Sequence, residues 1–423
     1  MNSEIKQRIE QIKNGEVPNG YSRTKAGVFP DDWELVSFDE KFNRLDRKND
    51  EDNQNVLTIS AQQGLISQQD YYNSSYASEN KKGYSLLYKG DFSYNKSYSG
   101  DYLYGAIKRL DKYEKGIVSP LYICFEPKDN TSSEFYLQYF EAGLFNGEIY
   151  KIAQEGARNH GLLNVSVTDF FKTHLVNPPS EEQQKIAEIL MQCDKVIELK
   201  QKRIEEENKK KQALLKKVFF NSNCKEYSLC DLCSTITDGD WIESKDQSEE
   251  GIRLIQTGNV GVGRYLEKEK SAKYISNDTF KTLNCSEVFN GDILISRLPD
   301  PIGRACMIKE LKTRAITAVD CTIVRFKEQL QAELFLQYAT TQEYFNKLQS
   351  LSGGSTRTRI SRKELEKLKI KLPDESKRTI LINNLLKQQD EILITLEMEV
   401  ELWKQKKKSL MQLLLTGIVR VDV

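Results

Sequence analysis

The chain has 423 residues, 39% hydrophobic and 29% charged, with 62 basic against 62 acidic side chains and a formal net charge of zero. That length holds two or three domains with ordinary cores, and the balance of charge excludes a protein that grips nucleic acid by bulk charge alone. Nowhere do 18 apolar residues run together, and Met1 leads into a charged, amphipathic stretch, so neither a membrane span nor a secretory signal is expected. The eight cysteines lack framework spacing, as suits reduced thiols in a cytoplasm, and two histidines, His160 and His174, leave few members for a metal site or a His-based triad.

In chain order, Asn2 to Lys13 predicts a short helix with Ile5, Ile9 and Ile12 on one face, closed by Asn14-Gly15. Gly27-Val28-Phe29-Pro30-Asp31-Asp32-Trp33-Glu34 predicts a turn leading into a strand. The first globular region then runs to about Pro179, with strands over Gln54 to Ser60, Leu86 to Tyr94 and Ile117 to Phe125, and a helix over Ser133 to Ala142. Tyrosines crowd the stretch from Tyr71 to Tyr104.

Pro179 to Phe219 reads as one long helix. Ser180 suits the N-cap and Gln183 the capping-box position. Apolar residues recur at helical steps through Ile186, Ile189, Leu190, Cys193, Ile197, Ile204, Leu214 and Val218, with neither Gly nor Pro to interrupt. About 40 residues at 1.5 Å each give roughly 60 Å, too long for the core of one small domain, so a long partner helix is required. Residues from Pro373 onward supply it: Asp194 aligns with Asp390, Ile197 with Leu393, Ile204 with Val400, Lys211 with Lys407 and Leu214 with Leu410. The offset of about 196 residues exceeds any solenoid period and marks a duplicated half-molecule.

The second globular region, Asn221 to Leu372, repeats the first at low identity. Lys89-Gly90-Asp91 and Asn290-Gly291-Asp292 each enter a strand whose far end carries a cation, Lys96 or Arg297. Val118 to Phe125 resembles Val319 to Phe326, and the helix from Ser133 resembles Gln331 to Thr341. A Gly/Ser/Thr-rich loop, Ser352 to Arg359, carries Arg357 and Arg359, and its counterpart, Glu155 to Gly161, carries Arg158 and Asn159. The expected architecture is α+β: globular region, long helix, globular region, long helix, with the helices paired antiparallel and the halves related by a pseudo-two-fold axis. The boundaries are 1–178, 179–220, 221–372 and 373–423.

Catalytic motifs are weak. Asn177-Pro178-Pro179-Ser180 has three residues of the Asn-Pro-Pro-aromatic signature of amino-methyltransferases but ends in Ser, and no Gly-rich cofactor loop accompanies it. Asn259-Val260-Gly261-Val262-Gly263 reads as a hairpin turn, and Cys230-Asp231-Leu232-Cys233, with no second pair, as a half-buried helix start. Glu243-Ser244-Lys245 and Glu375-Ser376-Lys377 offer only half of a nuclease site. Donors suited to nucleic acid are better represented: Arg and Lys read guanine edges, Asn reads adenine, and hydroxyls and backbone N–H groups take phosphates. Lys96, Arg158, Asn159, Arg297, Arg357 and Arg359 are therefore the candidate DNA contacts, with no catalytic and no metal-binding residue.

The chain resembles a specificity subunit of a type I restriction–modification enzyme. The likeness rests on Gly27 to Glu34, on Pro179-Ser180-Glu181-Glu182-Gln183-Gln184-Lys185-Ile186 opening the central helix, on Leu414-Leu415-Thr416-Gly417 near the end, and on the duplication. It implies two target-recognition domains, each reading one half of a split double-stranded DNA site, with the helices acting as a ruler. It implies two methyltransferase subunits docked on the helices, for which Ile186, Ile197, Ile204, Leu214, Leu385, Leu393, Val400 and Leu410 are the candidate spacer residues. Those subunits hold S-adenosylmethionine, a separate restriction motor subunit uses ATP and Mg, and this chain binds no cofactor. The setting is cytoplasmic, in bacterial defence. Two other readings are a self-sufficient adenine methyltransferase or nuclease, and a coiled-coil scaffold that binds only protein.

Overall fold

A computed structural model of the chain describes residues 3–60, 64–72, 81–97, 102–153, 163–220, 224–353, 359–374 and 376–422. It divides into two compact units, Met1–Lys200 with Glu399–Val423, and Gln201–Met398.

The first unit is built on a four-stranded antiparallel sheet in the order Phe42–Arg44, Ile123–Pro127, Phe92–Asn95, Ala106–Arg109. The run predicted as one strand over Leu86 to Tyr94 is two: Ser85–Tyr88 pairs with Lys115–Val118, and Gly90, at φ +97°, turns the chain into Phe92–Asn95. The run over Ile117 to Phe125 also divides, because Pro120 has no N–H to give a ladder. The Ser133–Glu141 helix, capped by Ser132, covers the sheet. Its core is aromatic: Phe38 lies 4.8 Å from the rings of Phe42 and Phe170 and 5.0 Å from Phe125, mostly edge to face.

The second unit repeats the sheet in the same order, Cys233–Asp238, Cys321–Phe326, Ile293–Ser296, Ala305–Met307. Beside it lies a second sheet in which Ile252–Ile255 runs parallel to Ala315–Thr317; in the first unit a parallel bridge, Val56 to Ile117, stands at the corresponding point. The predicted helix over Gln331 to Thr341 is Gln329–Tyr338, and Thr341 instead caps the next helix, Gln342–Leu351. This core is mainly aliphatic, with Phe335, Tyr338 and Tyr344 among its buried rings.

The long helices are Ser180–Phe219 and Lys377–Leu414. Each unit takes one end of both. In the first, Ile186, Leu190, Met411 and Leu415 join the aromatic core, and the pairs Asp194 with Lys407 and Lys200 with Glu399 show the helices running antiparallel. In the second, Leu215, Val218, Phe219 and Leu386 join the core. One expectation fails at the helix start. Gln183 N donates to Pro179 O at 2.9 Å, so the proline carbonyl opens the helix and Ser180 is its first helical residue rather than its cap. The Gln183 amide turns back to Pro178 O at 2.7 Å and Asn177 Oδ1 at 2.9 Å, which forgoes the capping box. In the second helix a serine does take the cap: Ser376 Oγ accepts from Thr379 N at 3.3 Å.

Candidate nucleic-acid interface

The duplicated Gly-Asp turns aim the strands that end in the candidate cations. Asp91 and Asp292 are both buried. Each closes its turn through Oδ2, which accepts from Tyr88 N at 2.6 Å or Phe289 N at 2.8 Å. Each also holds an arginine, but from a different place in the repeat. Arg47, from the segment after Phe42–Arg44, pairs with Asp91, while Arg325, on Cys321–Phe326, grips Asp292 with two bonds of 2.7 and 2.8 Å. Both guanidinium groups lie over the ring that precedes the turn, 4.6 Å from Tyr88 and 4.8 Å from Phe289. Burial pushes the Asp91 carboxyl above its ordinary value in spite of the Tyr88 amide and Arg47.

At the far strand ends the candidate cations part company. Lys96 is half-buried, its Nζ 3.5 Å from Val165 O, and its carbonyl accepts from Leu163 N. Arg297 is only 5% exposed. Its guanidinium donates to Val319 O and lies 3.5 Å from Asp238, while burial first and the neighbouring Arg359 second lower its pKa. As placed, Arg297 braces three strand ends and offers a ligand little surface. Arg359 is half-exposed, 2.9 Å from Asp320, and pairs through its backbone with Gly353 at the root of the loop. Arg158, Asn159 and Arg357 lie outside the described residues. The lysines of the long helices, at 209–211 and 404–408, divide in use: Lys211 pairs with Asp390 and Lys407 with Asp194 on the other helix, while Lys210 and Lys404 pair with acids on their own helices.

The weak motifs have structural occupations. The Asn177 amide accepts from Tyr136 Oη at 3.3 Å and from Gln183 and donates toward Glu34, so both its ends are engaged. Cys230 lies in the short Leu229–Leu232 helix and is exposed, Cys233 follows it and is buried, and among the described residues no cluster of His, Cys, Asp and Glu could hold a metal. Residues 260–265 form a hairpin, Gly261 N donating to Arg264 O. Glu243 pairs with its neighbour Lys245, and Glu375 lies outside the described residues.

Sequence reasoning missed one junction. The Glu182 carboxylate, 1% exposed, accepts from Trp33 Nε1 at 2.8 Å and from Arg420 at 2.7 and 2.9 Å. Arg420 also grips Asp32 at 2.9 and 2.7 Å, and this holds the Asp32 carboxyl below its usual range. Tyr21 Oη donates to Gly417 O at 2.6 Å; Gly417 sits at φ +67° with its missing Cβ 2.5 Å from the Pro30 ring, so only glycine fits. The three quoted segments, around Trp33, Glu182 and Gly417, thus meet at one place. Glu182 and Arg420 are 238 positions apart, and nothing local in the sequence pairs them.

On the long helices, Ile186, Leu393 and Val400 are buried, and Ile197, Ile204, Leu214 and Leu410 half-buried. Leu385 is 45% exposed and shares the second helix with exposed Leu381, Ile392, Ile394 and Met398.

Comparison with known proteins settles the family. The model of the type I restriction modification DNA specificity domain matches twice, over residues 30–208 and 221–411. The chain belongs to this family. Each match takes in one globular region and most of the long helix that follows it, so the matches reproduce the internal duplication. The type I restriction enzyme MjaVIII specificity subunit of Methanocaldococcus jannaschii is 27% identical over 328 residues, 73% of this chain and 75% of the relative. In fold, the type I restriction-modification S subunit from M. genitalium aligns with a TM-score of 0.56 at 12% identity, covering 96% of this chain and 98% of that one. A chain from a structure of type I R-M complex assembly and conformational transition aligns with a TM-score of 0.51 at 15% identity, covering 92% and 99%. The chain is thus a DNA-specificity component of the type I restriction–modification kind.

Proposed function

We propose that the globular regions, residues 27–178 and 221–372, each read one half of a split double-stranded DNA site, and that the two long helices set the gap and carry two methyltransferase subunits. The observation that carries this reading is the duplication: the family match occurs twice, each time over a globular region and its helix, and the same strand order recurs. Joining two modest readers on a stiff spacer makes the second contact intramolecular, so affinity for the complete site rises without new contacts. Base edges are read by side chains in the strand-end loops, where Arg359 is half open to solvent, while the buried Arg297 holds those loops in place.

The exposed apolar side chains of the second helix, Leu381, Leu385, Ile392 and Met398, support methyltransferase docking there. In this assembly the methyltransferase subunits hold S-adenosylmethionine and extrude the adenine, and the restriction motor subunits use ATP and Mg. The complex works in the cytoplasm, and among the described residues no helix is long and apolar enough to cross a membrane. Co-expression with the methyltransferase partner, followed by genome-wide mapping of methylated adenines, tests the proposal. One bipartite motif with a fixed gap, lost when this chain is omitted, is expected. A contiguous motif, or methylation by this chain alone, overturns it.

A further inference from the structure

Two side-chain sets occupy equivalent positions of the duplicated halves with the roles of the helices exchanged. In the first unit, Asp194 on the first long helix accepts from Lys407 Nζ on the second at 2.6 and 2.7 Å, and from Gln138 Nε2 on the Ser133–Glu141 helix at 2.9 Å. In the second unit, Asp390 on the second long helix accepts from Lys211 Nζ on the first at 2.6 Å, and from Gln337 Nε2 on the Gln329–Tyr338 helix at 2.7 Å. The lysine side chains are 14% and 11% exposed, and both glutamines are buried. Each set joins three elements: both long helices and a helix of the globular region.

Such sets do little for stability, since desolvating a lysine offsets most of the attraction it gains, but they discriminate sharply between helix registers. A slip of one turn, ~5.4 Å, places Lys211 opposite Leu386 or Ile394 in place of Asp390, and Lys407 opposite Leu190 or Glu198 in place of Asp194. In either direction Lys211 loses its acid and a mostly buried ammonium faces an aliphatic side chain. Gln138 and Gln337 extend the discrimination to the globular regions, because each amide reaches its aspartate only when its helix is seated at that point.

We infer that Gln138–Asp194–Lys407 and Gln337–Asp390–Lys211 are the register pins of this subunit: they select one alignment of the helices and one seat for each reader, and thereby the gap between half-sites that it accepts. This rests on the bipartite reading proposed above.

The test uses the full chain assembled with its methyltransferase partner and duplexes whose half-sites are constant while the gap is native, one base pair shorter or one longer. The apolar replacement Asp194→Leu, Lys407→Met, Asp390→Leu, Lys211→Met should melt no lower than the parent. Its preference for the native gap should fall by roughly tenfold or more, on the scale of one mismatched base pair. Retained gap preference in the folded variant overturns the inference. A second pair of variants decides if the first does not fold. The exchange Asp194→Lys with Lys407→Asp restores an ion pair, and the Gln138 amide can turn its oxygen to the new lysine, so gap preference should be kept. Asp194→Lys alone should lose it. Equal gap preference in these two overturns the inference. A parent complex that methylates no bipartite site at all would instead remove the proposed function on which the inference rests.

Discussion

Glu148 shows how a single side chain carries part of the fold's response to acid. It is buried, accepts from His174 N at 2.9 Å, and pairs with Lys151 and with His174 Nδ1 at 3.4 Å. Burial pushes its carboxyl up, but Lys151 and the His174 backbone N–H outweigh burial and hold it below the ordinary 4.5. A carboxylate depressed in the folded state contributes stability that is complete above its unfolded value and fades as pH falls through the folded one. Asp91, raised from 3.8 by burial, works the other way, its contribution fading as pH rises. Glu148→Gln should therefore make the fall in denaturant midpoint from about pH 5 to about pH 3 shallower than in the parent. An unchanged acid limb would show that Glu148 carries none of it.

Among the elements, the second long helix has two apolar faces with different duties. Leu393 is 7% exposed, whereas Leu385 is 45% exposed on the same helix. Leu393→Ala should cost about 2–5 kcal/mol, the transfer term plus the cavity left behind. Leu385→Ala should change the unfolding free energy by no more than about 0.5 kcal/mol and should weaken retention of the methyltransferase partner. Denaturant melts of the chain and co-purification of the complex separate the two effects, and the reverse pattern would show that Leu385 serves packing. The strand that follows each Gly-Asp turn is likewise aimed by its element: the buried aspartate, its arginine and the ring beneath that arginine fix the turn from which the strand departs.

At the scale of the whole molecule, each half has its own core, aromatic in one and aliphatic in the other, around the same order of strands. Exchanging residues 27–178 for those of another family member should alter one half-site and leave the other half-site and the gap as they were. A change in both halves, seen by mapping methylation, would count against modular reading. Much of this plan was legible in the chain itself. Both long helices nearly to their ends and the Gly-Asp turns follow from local composition and from a 3.6-residue period, which any stretch of sequence displays without its partners, and the duplication, with Asp194 and Lys211 equivalent to Asp390 and Lys407, follows from matching the chain to itself. What the sequence left open is who meets whom. Arg47 and Arg325 reach equivalent aspartates from non-equivalent positions, Arg297 is buried where an exposed donor was expected, Ser180 yields its cap to a proline carbonyl, and Arg420 finds Glu182 across 238 positions. Period and propensity are properties of neighbours along the chain, whereas these contacts are chosen by packing in three dimensions, where burial and charge select among partners that the sequence leaves equally open.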